Sequence, residues 1–262
     1  MKKLSQVGNQ IIGSEIIKIS QQIKEIAKTK PVQNLTIGDF DSRINPIPAK
    51  LKDGIIQCYE EDLTNYPLSP GELSLRKSVS EYLKKRQGVD YTESEILIGG
   101  GVRPLIYTVY KSILDEGDGV VYPVPSWNNN HYTFLHNAVK VPIECKPIYS
   151  DLSQEGQFVH PVLLCPEIRE YLICADGISK SLCATGIRVG WLFGPADIVG
   201  KMTELFSHIG AWAPKPEQNA VARYLDEYED MVRYVEDKRK TYAQIVHTIC
   251  KKIEGMRDKG FR

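Results

Sequence analysis

Lys180 and Arg188 are the two residues of this 262-residue chain whose types and spacing best suit chemistry. They lie in the run Asp176-Gly-Ile-Ser-Lys-Ser-Leu-Cys-Ala-Thr-Gly-Ile-Arg-Val-Gly-Trp191. The lysine falls just past an apolar stretch that reads as a strand, Tyr171–Ala175. The arginine follows shortly after Gly186 and opens a second strand, Arg188–Phe193. A lysine whose surroundings disfavour the charged form is a good nucleophile toward an aldehyde, with which it forms a Schiff base. An arginine holds a phosphate through a bidentate, charge-assisted contact. Aldehyde and phosphate on one small molecule point to pyridoxal phosphate (PLP). Singly, each residue also reads as a surface lysine or a strand arginine, and only the pattern as a unit carries the inference.

A second phosphate element lies far away in the sequence. Ile96-Leu-Ile-Gly-Gly-Gly-Val-Arg-Pro104 reads as a strand, a glycine turn and a helix start. Glycines let backbone amides approach an anion, and a helix N-terminus presents unpaired N–H groups to it. Pro104 suits a first helical turn, where no N–H is needed. The triple glycine fits neither G-x-G-x-x-G nor a P-loop, and a tight turn that merely needs positive φ is the plain alternative.

The elements that must position these residues alternate between helix and strand. Ser14 can cap a helix with Ile16, Ile19, Ile23 and Ile26 on one face, ending before Pro31. Leu35–Ile37 is a short apolar segment, and Leu51–Glu60 reads as a helix. Pro70-Gly71-Glu72 opens another that runs through Leu83 and stops at Gly88. Strand Ile96–Ile98, helix Pro104–Leu114, strand Val120–Pro123 and strand Lys140–Glu144 follow. Pro195–Ser207 is helical, and Glu217–Ile253 is one long or broken helix. Such alternation predicts an α/β sheet with helices on both faces.

Composition sets the class. With 42% hydrophobic residues and 33 basic against 33 acidic side chains, this is an ordinary globular chain. Zero formal charge argues against nucleic acid or a membrane surface as partner. No apolar stretch approaches spanning length, and the first residues do not read as a signal peptide. Six cysteines without C-x-x-C spacing predict reduced thiols in a cytoplasmic protein. Five histidines without H-x-x-x-H spacing predict no metal site.

The lysine run and the glycine turn together resemble the fold-type I, class I/II aminotransferases. The resemblance implies a three-layer PLP-transferase-like large domain with a mostly parallel sheet. It assigns 1–35 to an N-terminal arm, 36–215 to the PLP-binding domain and 216–262 to a long helix leading to a small domain. It makes Lys180 the Schiff-base lysine, and Gly101, Val102 and Arg103 the amide donors to the cofactor phosphate beside Arg188. Trp127, in Pro123-Val-Pro-Ser-Trp127, takes the place of the aromatic side chain that stacks on the cofactor ring. A core tryptophan is the alternative. Tyr66, in Leu63-Thr-Asn-Tyr-Pro67, resembles the tyrosine that reaches the phosphate of the neighbouring subunit, which implies a homodimer. A surface turn is the alternative there. Asn34-Leu-Thr-Ile-Gly38 resembles the segment lying over the substrate, and Tyr149 the tyrosine that bonds the ring hydroxyl.

The chain also departs from the pattern. The family's Asn-Pro-x-Gly motif is missing, along with roughly two strands, as if an internal deletion lay near 147. The chain ends soon after the long helix, which reads as a C-terminal truncation taking most of the small domain. In the preferred register the aspartate that faces the ring nitrogen is replaced by Lys146. A competing register makes Asp151 the aspartate but puts Gln154 at the tyrosine position. The expectation is therefore a PLP-dependent aminotransferase converting an amino acid and a 2-oxo acid, weakened in this chain. A PLP-binding inactive relic or regulatory subunit and a PLP-dependent lyase are the alternatives.

Overall fold

The computed structural model describes residues 3–13, 15–32, 34, 36–127, 129–145 and 159–257. In chain order its elements are α1 (Gln6–Gln10), α2 (Glu15–Ile26), α3 (Ala49–Glu60), α4 (Leu73–Gln87), β1 (Ile96–Gly99), α5 (Val102–Ile113), β2 (Gly119–Val124), α6 (Asn129–Leu135) and β3 (Val139–Glu144). There follow α7 (Pro161–Leu164), β4 (Cys174–Gly177), α8 (Ile178–Ser181), β5 (Gly190–Phe193), α9 (Ala196–Ile209), α10 (Lys215–Asp226) and α11 (Tyr228–Arg257). The chain divides into two compact units. One comprises Met1–Ile44 and Val109–Glu155, the other Asn45–Thr108 and Gly156–Arg262.

The second unit is built on a three-stranded sheet in the order β1-β5-β4. β1 and β5 are buried along their whole length, which is why Ile96-Leu-Ile and Trp191-Leu-Phe are unbroken apolar runs rather than alternating ones. Leu75, Val79 and Leu83 line one stripe of α4 at helical spacing and are fully buried. α4 stops at Gly88, which takes φ 71° and returns its N–H to the Lys84 carbonyl. α10 adds Ala220, Val221, Tyr224 and Leu225 to the same core. Each large apolar side chain buried this way contributes about 1.5–3 kcal/mol.

The α/β class holds, with few strands. Parallel pairing occurs between β2 and β3 of the first unit, while β5 runs antiparallel to both its neighbours. A parallel return needs a crossover, usually through a helix that spans the sheet face. The link from β4 to β5 carries only the four-residue α8, so the chain comes straight back.

Three local expectations shift. Strand β4 begins at Cys174, because Pro166–Tyr171 forms a 3-10 turn that leaves Tyr171 83% exposed. On α2 the inward stripe is Ile16, Ser20 and Ile23, with Ile19 and Ile26 exposed. Residues 36 and 37 form a bend, and Ser14 and Leu35 lie outside the described residues. The long C-terminal helix takes the broken form, interrupted at Glu227 between α10 and α11.

Candidate active site

Three glycines set the floor of the site. The strand register pairs Gly99 with Gly190 and Gly190 with Gly177, so they cross the sheet in one row. A Cβ on Gly190 would stand 2.9 Å from the Gly101 carbonyl carbon and from the Val102 nitrogen. A Cβ on Gly177 would stand 2.9 Å from Gly190 Cα. Bare backbone at these positions lets the turn after β1 settle directly on the sheet. Gly101 turns the chain with φ +93°, a conformation that only glycine adopts at low cost. Helix α5 then starts at Val102, two residues earlier than Pro104 suggested. Of the three expected amide donors, Gly101 already gives its N–H to the Gly99 carbonyl at 2.7 Å, while the amides of Val102 and Arg103 stand in the first turn of the helix.

Arg188 is brought to this turn from 88 residues away in sequence. Its Nη1 donates to the Thr185 carbonyl at 2.7 Å and its Nη2 to the Gly100 carbonyl at 3.0 Å. A Cβ on Gly101 would run into the guanidinium, so the charge lies against the turn itself. The backbone of Arg188 is left-handed, φ 64°, a state that costs a non-glycine residue about 1–2 kcal/mol. A cation, a helix N-terminus and bare glycine backbone come together here, a combination whose chemistry suits an anion.

Lys180 lies on the same β4–β5 connection, as the third residue of α8, and is exposed. Asp176 precedes it at the end of β4, where burial pushes its carboxyl pKa up and a 2.7 Å hydrogen bond from Gly177 N–H partly offsets this. The phenol of Tyr82 is pushed up to about 12 by its own burial, with Asp176 adding to it.

The other candidates are placed as follows. Tyr66 is 85% exposed, and its ring meets the Trp212 ring edge-on at 5.9 Å. Trp127, 52% exposed just before α6, and Gly38 belong to the first unit. Tyr149, Lys146, Asp151 and Gln154 lie outside the described residues. Gly177, Gly190 and the Thr185 carbonyl were missed. Their signal was the recurrence of glycine at strand ends, which becomes meaningful only once the register is known. Among the described residues no cluster of three or more His, Cys, Asp or Glu could hold a metal ion. No helix there is long and apolar enough to cross a membrane.

The family pattern "Aminotransferase class I and II" matches residues 30–147 and 147–261. The chain belongs to the class I and II aminotransferases. Both the α/β fold and the aminotransferase reading stand, and the relic and lyase alternatives are not favoured. Similar family members include the aspartate aminotransferase of Geobacillus stearothermophilus. It is 24% identical over 303 positions, covering 92% of this chain and 75% of that protein. The probable aspartate/prephenate aminotransferase of Aquifex aeolicus is 33% identical over 118 positions, 44% of this chain and 28% of that protein. In structure, this aminotransferase chain resembles the Thermus thermophilus aspartate aminotransferase with maleate. The TM-score is 0.84 at 18% identity, over 93% of this chain and 78% of that one. The two stretches of family match meet at residue 147, where the internal deletion was expected. An alignment of 303 positions that uses 92% of 262 residues leaves about sixty positions of the relative without a counterpart here.

Proposed function

We propose that this chain is a PLP-dependent aminotransferase that moves an amino group between an α-amino acid and a 2-oxo acid, working as a cytoplasmic homodimer. The observation that carries the reading is the seating of Arg188 on the Gly99–Gly101 turn, with Lys180 on the same short connection. PLP, when bound, supplies an aldehyde for covalent capture and a ring that takes up electrons.

The chain's own residues do the rest. Arg188 and the first-turn amides of α5 bind the phosphate and so fix where the aldehyde comes to rest. The Lys180 amine is the group that captures it and afterwards moves a proton at the reacting carbon. Trp127 keeps the ring-stacking role and Tyr149 the ring-hydroxyl role that the family resemblance implies. Gly38 keeps its place in the segment lying over the substrate. Tyr66 serves the phosphate of the partner chain.

Aspartate, the amino donor in the relatives' names, is the first substrate to try. The test is a half-reaction in which purified protein is loaded with PLP and given one amino acid at a time. Formation of the matching 2-oxo acid is the expected result. An eliminated product, or none with any amino acid, overturns the reading.

A further inference from the structure

The segment from Ala211 to Gln218 touches both phosphate elements of the second unit. At one end the Ala211 carbonyl accepts the Gly100 N–H at 2.8 Å. A Cβ on Gly100 would stand 3.1 Å from the Ala211 oxygen and 3.2 Å from the Trp212 oxygen. The segment is therefore pressed against the glycine turn closely enough that a side chain there would push it away by a few tenths of an ångström. The same segment meets the Tyr66 loop at two points and the start of α4 at a third. The Trp212 ring lies edge-on to Tyr66 at 5.9 Å and 70°. Lys215 Nζ donates to Asn65 Oδ1 at 2.9 Å. Gln218, fully buried, donates from Nε2 to the Ala213 carbonyl and accepts the Glu72 N–H at Oε1, both at 2.8 Å.

A close-packed segment tied to its neighbours by several hydrogen bonds moves largely as a piece rather than deforming residue by residue. The indole N–H of Trp212 is buried without a hydrogen-bond partner among the described residues, so ring packing alone sets its orientation. Tyr66 stays 85% exposed on this support.

We propose that Trp212, Lys215 and Gln218 are positioning residues that couple the glycine turn of one chain to the Tyr66 it presents to its partner. The affinity of each site for the cofactor phosphate then depends on this segment of the neighbouring chain. The inference rests on the functional reading above, in which Tyr66 reaches the partner's phosphate.

A double-mutant cycle on PLP affinity, read by absorbance titration, tests it. Tyr66→Phe should weaken PLP binding roughly tenfold or more in the unaltered chain, as loss of a hydrogen bond to a charged group does. In a Lys215→Met or Trp212→Leu background the same change should cost less than about threefold, because the tyrosine is no longer held in place. Lys215→Arg and Trp212→Phe, which keep the donor and the ring, should restore the full effect. Pyridoxal, which lacks the phosphate, should bind all variants of Tyr66 alike. Lys215→Met alters a side chain near the surface and carries the test if Trp212→Leu fails to fold. Independent, multiplying losses overturn the coupling and leave the functional reading intact. An unaltered chain that binds no PLP overturns both.

Discussion

Arg188 meets the glycine turn from a left-handed backbone that an arginine disfavours. Its two carbonyl partners, Thr185 and Gly100, hold the guanidinium there. Arg188→Ala should weaken PLP affinity by about 1.5–3 kcal/mol, the range for hydrogen bonds to charged groups. Lysine should rescue only partly, lacking the planar fork. Comparing two small replacements isolates the backbone cost. Arg188→Gly should be more stable without cofactor than Arg188→Ala by about 1 kcal/mol in denaturant unfolding, since glycine accepts positive φ freely. Equal stabilities would mean the backbone relaxes once the side chain is gone. Asp176 gives a pH signature. Burial raises its pKa, so the folded chain holds this proton more tightly than the unfolded one. Its contribution is full below the ordinary aspartate value of about 4 and is lost as pH rises through the folded value. Asp176→Asn should therefore raise Tm more at pH 8 than at pH 4, and an equal rise at both would contradict this.

Among the elements, the glycine turn has a geometry that tolerates little change. Gly101 combines φ +93° with an Arg188 guanidinium where its Cβ would go. Gly101→Ala should cost about 1–3 kcal/mol of stability from backbone strain alone and should displace Arg188 as well. Unchanged stability and unchanged PLP affinity would remove the turn from the site. Much of this was legible in the sequence. The strand–glycine–helix order around 96–104 holds to within two residues, because glycine and proline punctuate the chain locally, whereas Arg188, expected to open a strand, lies two residues before β5 in a left-handed turn. The antiparallel course of β5 was not legible, since helix–strand alternation says nothing about how a short link returns. The late start of β4 was hidden too, because Tyr171-Leu-Ile is apolar while Pro166 had already set a 3-10 turn. The glycine row across β1, β5 and β4 needed the strand register, which no local pattern carries. The contact of Trp212 with Tyr66 joins residues far apart in sequence, which no local pattern carries either.

At the scale of the molecule, the sheet of the first unit shows an apolar face to solvent. Val139, Val141 and Ile143 of β3 alternate onto one face and are all exposed, as is Val121 of β2. An exposed apolar strand face invites association between molecules. Val139→Lys should raise the soluble fraction at high concentration without lowering Tm, and a fall in Tm would show that the face is needed for packing. The deletion expected near 147 bears on turnover. The family resemblance, in the preferred register, implies Lys146 at the position of the aspartate that faces the ring nitrogen. A cation disfavours the protonated ring that a carboxylate would favour. Turnover by the unaltered chain should accordingly be slow, and Lys146→Asp should speed 2-oxo acid formation roughly tenfold or more, the equivalent of about 1.4 kcal/mol of barrier. The most direct test of the account is to reduce the PLP-loaded protein with borohydride and map the pyridoxyl label by peptide mass. The account predicts a single modified residue, Lys180. Label on another lysine, or none, would contradict it.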